Sequence, residues 1–356
     1  MKKKILASIL AGVFAFGVSF TTQAATRDEI SAIKVSKAGN FKYWEKDALA
    51  KEKLVSYVKD ITNKNSKNFI PVEDRVAVFD MDGTFICETA PYYFDHMLFI
   101  HRTLHDKNYT PSEDDRDFAQ DLENWLKDKS SVSKDLSQSA PHQSSVFVGE
   151  TFETYKNYVE DFYKNYSPEG LTNLKWGEAF YLPMIEIIKY LQANDFKVYV
   201  VTGTERECTR ILVCDMLNIP TNQIIGTDIL IETNNQDGKD GLNYTFAKDK
   251  DYLIRGKFLI KDLQMNKVSA IAREIGKQPV LAFGNSSSDA SMLNYAITDN
   301  KYKSAAFFVI CDDLEREFGD TKKADSCIKL AEKNNWISIS MKNDWKTIYG
   351  DNVLKE

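Results

Sequence analysis

The sequence is poor in the residues that support several common kinds of site. It has five cysteines and four histidines in 356 residues. The cysteines are Cys87, Cys208, Cys214, Cys311 and Cys327. Their odd number is unlike a disulfide-rich secreted scaffold, and their spacing fits no zinc motif. At most two disulfides can form, with Cys311–Cys327 as the candidate pair. All the histidines lie in one polar stretch, residues 96–142, which argues against a catalytic cysteine–histidine pair.

The chain also lacks an apolar run of the ~20 residues that a transmembrane helix needs. Its longest apolar run, residues 5–20, follows three lysines and precedes the small residues of positions 22–25. This order predicts a secretory signal peptide over residues 1–25, so we expect a secreted or periplasmic protein without stable membrane insertion. A membrane anchor is the alternative, which the short run disfavours. A lipoprotein is also disfavoured, because no cysteine lies at the cleavage site.

Basic residues are fewer than acidic residues, with 46 Lys and Arg against 52 Asp and Glu. The formal net charge is −6, and loss of residues 1–25 would remove three lysines and no acidic residue, leaving −9. An acidic surface argues against a nucleic-acid partner or an anionic membrane. It does not exclude a small phosphate ester as substrate, because a metal ion and one lysine can reverse the local field.

What the chain does contain is a series of short apolar runs, each followed by polar residues. Runs at residues 76–79, 198–201, 280–283 and 307–310 predict buried parallel strands, and residues 336–339 predict an edge strand. Helical stripes separate these runs. The pattern predicts an α/β fold with an open parallel sheet. A hairpin is expected between residues 229–231 and 244–246, across an Asn/Asp/Gly-rich turn.

The remaining segments have a different composition. Residues 26–70 are predicted to form a polar, helical lead-in. Residues 86–175 are rich in aromatic and charged residues, with apolar positions at helical spacing, and are predicted to form a helical cap inserted into the core. The core is then residues 71–85 and 176–356. A separate domain is the alternative for residues 86–175, but the strand and helix alternation resumes directly after them.

Asp80 and Asp82 follow the first predicted strand, with Gly83 and Thr84 behind them. Paired carboxylates suit a nucleophile beside a divalent cation and a general acid and base. Gly83 permits a sharp turn, and Thr84 can fix a carboxylate rotamer by a hydrogen bond. An Asx-capped turn is the structural alternative. A calcium loop is disfavoured, since its twelfth position would be Pro91 rather than glutamate.

Polar candidates also occur at the later strand ends. Thr202 and Gly203 follow the second strand and predict a phosphate-binding helix start, although an N-cap is the commoner explanation for such a pair. Asn285 and Asp289 follow the third strand at a spacing of four, as oxygen ligands for Mg²⁺ or as a helix cap. Lys267 opens the preceding helix, where most lysines are surface residues.

Taken in order, Asp80-Met81-Asp82-Gly83-Thr84, then Thr202-Gly203, then Lys267, then Gly284-Asn285 with Asp289 resemble the haloacid dehalogenase-like (HAD) hydrolase superfamily, over residues 76–310. The resemblance implies a Rossmann-like parallel sheet and a phosphatase that forms an aspartyl-phosphate. It implies that Asp80 is the nucleophile and Asp82 the acid and base, and that Thr202 and Lys267 hold the phosphoryl group. Asp80, Asp82, Asn285 and Asp289 would bind Mg²⁺.

The long insertion is similar to the helical cap of the phosphoserine-phosphatase-like branch. Secreted phosphorylcholine phosphatases are also similar in the export signal, in the lead-in with Tyr43-Trp44, and in the segment Val78-Phe79-Asp80-Met81-Asp82. A choline group would need an aromatic cage, which Tyr92, Tyr93 and Phe94 could supply unless they are packing residues. Gly203, Glu88 and Tyr92 are the candidate substrate-binding residues, with Glu88 facing a substrate amine.

Two points depart from the family pattern. The third-motif lysine has Lys257 and Lys261 as nearby alternatives, although Lys267 best fits the expected position, opening the helix before the fourth-motif strand. The fourth motif of the family usually begins Gly-Asp, whereas this sequence has Asn285 after Gly284. An amide oxygen binds Mg²⁺ without bringing charge, so a weaker metal site is expected. The leading hypothesis is a Mg²⁺-dependent phosphomonoesterase. A carbon–halogen hydrolase is the second, which Asp82 disfavours, and a non-catalytic phosphate- or metal-binding protein is the third.

Overall fold

The computed structural model describes residues 24–90, 92–128 and 138–356. The predicted signal peptide lies outside the described residues as far as position 23. Ala24, inside the predicted cleavage segment, is buried and its backbone N–H donates to the Asn173 carbonyl. Within the described ranges, no helix combines the length and apolar character needed to span a bilayer.

Seven strands of the described chain form one sheet in the order β4-β3-β2-β1-β5-β6-β7. The strands are β1 (Val76–Phe79), β2 (Lys197–Glu205), β3 (Ile224–Thr233), β4 (Leu253–Ile260), β5 (Leu281–Gly284), β6 (Ala305–Ile310) and β7 (Ile337–Ser340). All neighbouring pairs are parallel except β3 and β4. The predicted α/β fold is confirmed. Since β1 lies between β2 and β5, its carboxyl end is where the strand order reverses, the usual ligand position in open parallel sheets.

Helices cover the sheet and fill the insertion between β1 and β2. They are α1 (Arg27–Ser31), α2 (Leu49–Thr62), α3 (Phe94–Ile100), α4 (Glu113–Lys127), α5 (Ser139–Ser145), α6 (Phe152–Asn165), α7 (Leu182–Ala193), α8 (Arg206–Leu217), α9 (Met265–Ala270), α10 (Ala290–Ile297), α11 (Thr321–Asn334) and α12 (Met341–Asp344). A π-helical turn extends α3 to His105, and another extends α9 to Ile275, before Gly276 adopts a left-handed conformation. Helices α3 to α6 occupy the segment predicted as a cap, and its role as a cap stays a prediction.

The centre of the sheet is buried on both faces, and β1 and β5 are buried at every position. Along β1, Ala77 and Phe79 pack into one core cluster while Val76 and Val78 pack into the other. This is the period of two expected for a strand. Phe79, Phe283 and Phe307 are register neighbours on β1, β5 and β6, with ring centroids 4.1 and 5.0 Å apart. This stack fixes the three strands directly below the ends of β1 and β5.

The predicted hairpin is wrong in its second strand. β3 pairs with β4, where Ile229 is opposite Phe258 and Thr233 is opposite Leu253, and residues 244–246 lie in the connecting loop. The Asp251 carboxylate accepts hydrogen bonds from the Tyr244 hydroxyl and the Ala247 N–H, so residues 244–247 are bonded within the loop. The longer run of residues 253–260 supplies the pairing strand.

The predicted Cys311–Cys327 disulfide is also wrong, since all five cysteines are free in the structure. Cys311 packs against the core cluster on one face of the sheet, and Cys327 packs against the cluster on the other. The sheet therefore separates the two thiols.

Candidate active site

The Asp80 carboxylate lies at the carboxyl end of β1, where the Asp80 N–H still donates to the Phe283 carbonyl of β5. Its Oδ1 accepts a hydrogen bond from Lys267 Nζ at 2.6 Å, and its Oδ2 accepts one from the Thr84 hydroxyl at 3.1 Å. Burial and the charge of Asp289 raise the pKa of Asp80, while Lys267 and Thr84 oppose that shift. The side chain is thus held in one rotamer with its charge partly compensated.

Lys267 is fully buried and connects two strand ends. Its Nζ also donates to Asp289 Oδ1 at 2.7 Å, and Asp289 Oδ2 accepts the backbone N–H groups of Asn285 and Ser286, both at 3.0 Å. Burial disfavours the ammonium, but Asp289 and Asp80 outweigh it and raise the pKa of Lys267. Lys267 therefore brings a permanent positive charge to the nucleophile, whereas Lys257 is exposed.

Asp82 has one occupied and one open carboxylate oxygen. Oδ2 accepts the Thr204 hydroxyl at 2.6 Å, with the Thr202 hydroxyl at 3.4 Å. Oδ1 is buried and has no hydrogen-bond partner among the described residues. Burial, followed by the charges of Asp95 and Asp80, raises the pKa of Asp82 well above its usual range. A protonated Asp82 with an unpartnered oxygen is suited to donate a proton to an incoming group.

Gly83 makes possible the turn that brings the segment after Asp82 close to Asn285. Its φ is +74°, and a Cβ there would lie 1.9 Å from Asn285 Nδ2 and 2.3 Å from Glu88 Oε2. Only glycine tolerates both the backbone conformation and this close approach. The turn thus allows Glu88 and Asn285 to meet directly above the nucleophile segment.

The side-chain oxygens here fit Mg²⁺, which prefers carboxylate and carbonyl ligands. Asn285 Oδ1 and Asp80 Oδ2 lie 3.4 and 3.1 Å from the same Thr84 hydroxyl, so the two oxygens converge. In the described ranges, histidine, cysteine and carboxylate side chains form no group of three or more suited to a metal. A magnesium site would therefore depend on the Asn285 amide and on backbone oxygen. The contacts of Asp289 engage both its oxygens, so its place as a ligand stays a prediction.

The local structure at Thr202 and Gly203 differs from the phosphate-binding helix start that the sequence predicts. β2 does not end at Thr202 but continues through Gly203 to Glu205, and α8 begins only at Arg206. Pairing with β3 resumes at Glu205 after a register shift, which keeps this polar segment extended. Thr202 and Gly203 therefore lie on a strand end and not at a helix start.

The three predicted substrate-binding residues, Gly203, Tyr92 and Glu88, differ in burial and in their contacts. Gly203 is crowded, since a Cβ there would lie 2.7 Å from Leu263. Tyr92 is half-buried, with its ring 4.7 Å from His96 and 5.1 Å from Trp125. Glu88 is buried against Asn285 and the Tyr93 hydroxyl. These placements leave their roles in substrate binding as predictions.

The proposed aromatic cage is wrong in one member. Phe94 is completely buried, and its ring packs against Phe162 of α6 and Trp176. It belongs to the packing between helices, so at most Tyr92 and Tyr93 are left to contact a ligand.

Two features of the site were missed from the sequence. Thr204 makes the short hydrogen bond to Asp82, and its position two residues after Thr202 on the same strand face could have indicated it. The pairing of Glu88 with Asn285 joins residues 197 positions apart, and no local pattern signals it. Asp95, buried beside His96, also contributes charge near Asp82.

Comparison with known proteins adds a family match and similarities of fold. No curated protein matches the sequence. A conserved protein of unknown function from Anaerococcus prevotii DSM 20548 is 13% identical, with a TM-score of 0.52 over 89% of this chain and 98% of that chain. This similarity shows the fold alone.

A phosphoserine phosphohydrolase-like protein from Francisella tularensis subsp. tularensis SCHU S4 is 16% identical, with a TM-score of 0.36 over 66% of this chain and 87% of that chain. A probable phosphoserine phosphatase from Vibrio cholerae is 13% identical, with a TM-score of 0.36 over 80% of this chain and 73% of that chain.

The family match covers residues 77–294 and therefore contains Asp80, Asp82, Thr202, Lys267 and Asp289. It spans more than half of the sequence, and the chain belongs to the haloacid dehalogenase-like hydrolase family.

Proposed function

We propose that this protein is a Mg²⁺-dependent phosphomonoesterase that acts on a small phosphate ester through an aspartyl-phosphate on Asp80. The observation that carries the proposal is Asp82. Its buried, unpartnered Oδ1 and its raised pKa supply a proton donor two residues from the nucleophile. Carbon–halogen cleavage needs no such donor, because halide leaves as an anion.

In the first half-reaction, an Asp80 oxygen forms a bond to phosphorus and the ester P–O bond breaks. The leaving oxygen takes the proton of Asp82, which becomes a carboxylate. Lys267 offsets negative charge beside the phosphoryl group, and Thr202 is the proposed hydroxyl contact to it. Both side chains are held in place before substrate arrives, so little reorganisation is needed.

In the second half-reaction, Asp82 accepts a proton from a water that attacks phosphorus. The bond between phosphorus and Asp80 breaks, which releases inorganic phosphate and restores both carboxyl groups. One residue thus serves first as acid and then as base. The Thr204 hydroxyl holds Asp82 by its Oδ2 and leaves Oδ1 for both proton transfers.

Magnesium, when bound, would neutralise charge on the phosphoryl oxygens and orient them. The proposed ligands are the carboxylate of Asp80, the backbone carbonyl of Asp82 and the amide oxygen of Asn285, with Asp289 as the remaining candidate. The alternative, a non-catalytic phosphate- or metal-binding protein, does not account for the buried, unpartnered Oδ1 of Asp82 or for the buried Lys267.

The test uses p-nitrophenyl phosphate with and without Mg²⁺. Asp80→Asn should reduce turnover by about 10³-fold or more, as loss of a covalent nucleophile does, with the far-UV circular dichroism unchanged. Asp82→Asn should release about one equivalent of nitrophenol in a burst and then stall, because nitrophenol leaves without an acid while water attack needs the base. Near wild-type turnover by Asp80→Asn would show that the nucleophile assignment is wrong.

The substrate class is the finer part of this proposal, with phosphocholine and phosphoserine as the leading candidates. A panel of phosphate esters containing both, assayed by phosphate release, would identify it. A preference for phosphocholine should be lost in Tyr92→Ala, because a quaternary ammonium needs aromatic faces. An unchanged preference would remove Tyr92 from substrate binding.

A further inference from the structure

The contact between Glu88 and Asn285 is a feature that the family's chemistry does not require. Asn285 Nδ2 donates to Glu88 Oε2 at 2.7 Å, and both side chains are buried. The other end of the amide, Oδ1, lies 3.4 Å from the Thr84 hydroxyl, which itself donates to Asp80. The amide therefore spans the distance between Glu88 and the nucleophile segment.

The direction of this amide follows from the chemistry of its neighbours. Burial raises the pKa of Glu88, while the charge of Lys323 and the hydrogen bond from the Tyr93 hydroxyl favour its ionised form. An ionised carboxylate can only accept hydrogen bonds, so the NH₂ group must face Glu88. Asn285 Oδ1 is then turned toward Asp80 Oδ2, where carbonyl and carboxylate oxygens converge. Glu88 thus selects the amide orientation in which the oxygen, and not the nitrogen, is available to a cation.

Glu88 itself is fixed from three sides. Its Oε1 accepts the Tyr93 hydroxyl at 2.9 Å, and Lys323 Nζ lies 3.8 Å from the same oxygen. The absence of a Cβ at Gly83 provides the space for Glu88 Oε2. A residue with this many constraints can impose an orientation on its partner.

The pair also accounts for Asn285, where the family's fourth motif usually has aspartate. An aspartate at position 285 would place a carboxylate oxygen against Glu88 Oε2, at about the spacing that the hydrogen bond now occupies. Two buried like charges at that distance repel strongly. The negative charge that position 285 lacks is instead carried by Glu88, which is hydrogen-bonded to Asn285.

We propose that Glu88 is the positioning residue of the divalent-cation site, orienting the Asn285 amide oxygen and supplying the negative charge that position 285 lacks. The inference rests on the proposed function only in taking the cation site to be the one beside Asp80. It differs from the expected contact between Glu88 and a substrate amine, because it concerns the metal and not the substrate.

The experiment measures binding of Mn²⁺ to the metal-free protein by electron paramagnetic resonance, with Mg²⁺ as competitor and no substrate. Glu88→Ala should weaken Mg²⁺ binding by about 10- to 100-fold, the usual effect of removing a residue that supports a metal ligand. Glu88→Gln keeps an acceptor but not the charge and should fall between wild type and Glu88→Ala. Asn285→Asp should bind no better than wild type despite its added carboxylate.

The decisive variant exchanges the two functional groups. In Glu88→Gln/Asn285→Asp, the glutamine NH₂ can donate to the new carboxylate, so binding should return to within about threefold of wild type. Glu186→Gln is the matched control. Glu186 is another buried glutamate, but it accepts the backbone N–H groups of Lys42 and Tyr43, and its loss should leave Mn²⁺ affinity unchanged.

Two outcomes would overturn the inference: Glu88→Ala binding Mn²⁺ as wild type does, or Asn285→Asp alone binding more tightly than wild type. If Glu88→Ala changes only the KM for amine-containing esters, Glu88 contacts the substrate and the inference is also wrong. Should Glu88→Ala fail to fold, Glu88→Gln and the exchange variant still decide the question. Wild-type protein that binds Mn²⁺ but hydrolyses no ester would contradict the proposed function alone.

Discussion

Single buried carboxylates in this protein differ in how their charge is compensated. The Asp289 carboxylate accepts hydrogen bonds from Lys267 Nζ and from two backbone N–H groups. These bonds replace the hydrogen bonds to water that the carboxylate loses on folding. Asp262 is buried to a similar degree, but its Oδ2 has no partner among the described residues. Burial raises the pKa of Asp262 to about 6, against the opposing charges of Lys267 and Arg206. A buried carboxylate of this second kind lowers stability whenever it is ionised.

Replacing Asp262 with asparagine should therefore stabilise the protein at neutral pH. The folded-state pKa lies above the unfolded value of 3.8, so the folded protein holds this proton more tightly. The contribution of Asp262 to stability is therefore fully present below pH 3.8 and is lost as the pH rises through 6. Asp262→Asn removes this loss and should be about 1–3 kcal/mol more stable than wild type at pH 7.5, and nearly equal to it at pH 4. Urea denaturation at both pH values measures the difference.

Asp60 is a control of opposite sign. Hydrogen bonds from Lys303, Ser66 and Asn68 lower the pKa of Asp60, so its contribution is present at neutral pH and is lost in acid. Asp60→Asn should destabilise the protein at pH 7.5 and have less effect as the pH falls. A destabilising effect of Asp262→Asn at pH 7.5 would contradict the account of Asp262.

Among the secondary-structure elements, the central strands position the site through the ring stack of Phe79, Phe283 and Phe307. Phe283 lies between the other two, and its strand β5 ends at Gly284, directly before Asn285. The stack therefore sets the height of the fourth-motif loop relative to Asp80. It links core packing to the geometry of the carboxylates.

Phe283→Ala should lower the free energy of unfolding by about 3–5 kcal/mol, since it removes a fully buried ring and leaves a cavity. It should also lower activity more than a loss of stability alone explains, because the Asn285 loop loses its support. Leu259→Ala is the control on exposed edge strand β4 and should change stability by about 0.5 kcal/mol or less. Wild-type activity per folded molecule of Phe283→Ala would contradict a role of the ring stack in the geometry of the active site.

The elements that the sequence predicted well are those determined by local apolar pattern. β1, β5, β6 and β7 fall within about two residues of their predicted limits, because runs of buried residues leave no other local choice. The second hairpin strand was misplaced, since pairing with β3 depends on residues 20 or more positions away. The Glu88–Asn285 contact was missed for the same reason.

At the scale of the whole molecule, the lead-in before the first strand packs into the same core as the sheet. Trp44 is buried, its Nε1 donates to the Pro183 carbonyl at 2.9 Å, and its ring lies 6.3 Å from that of Trp345. Trp44 and Trp345 also form a β-bridge, which joins the lead-in to the C-terminal part of the chain. The lead-in thus contributes to the main core cluster.

Trp44→Ala should accordingly destabilise the entire protein by about 3–5 kcal/mol, as truncation of a core aromatic does. Unfolding in urea should remain a single transition, with circular dichroism, tryptophan fluorescence and phosphatase activity lost together. Leu49→Ala, an exposed position at the start of α2 in the same segment, should shift the midpoint little. If the lead-in were an independent appendage, Trp44→Ala would instead produce an early transition that leaves activity intact.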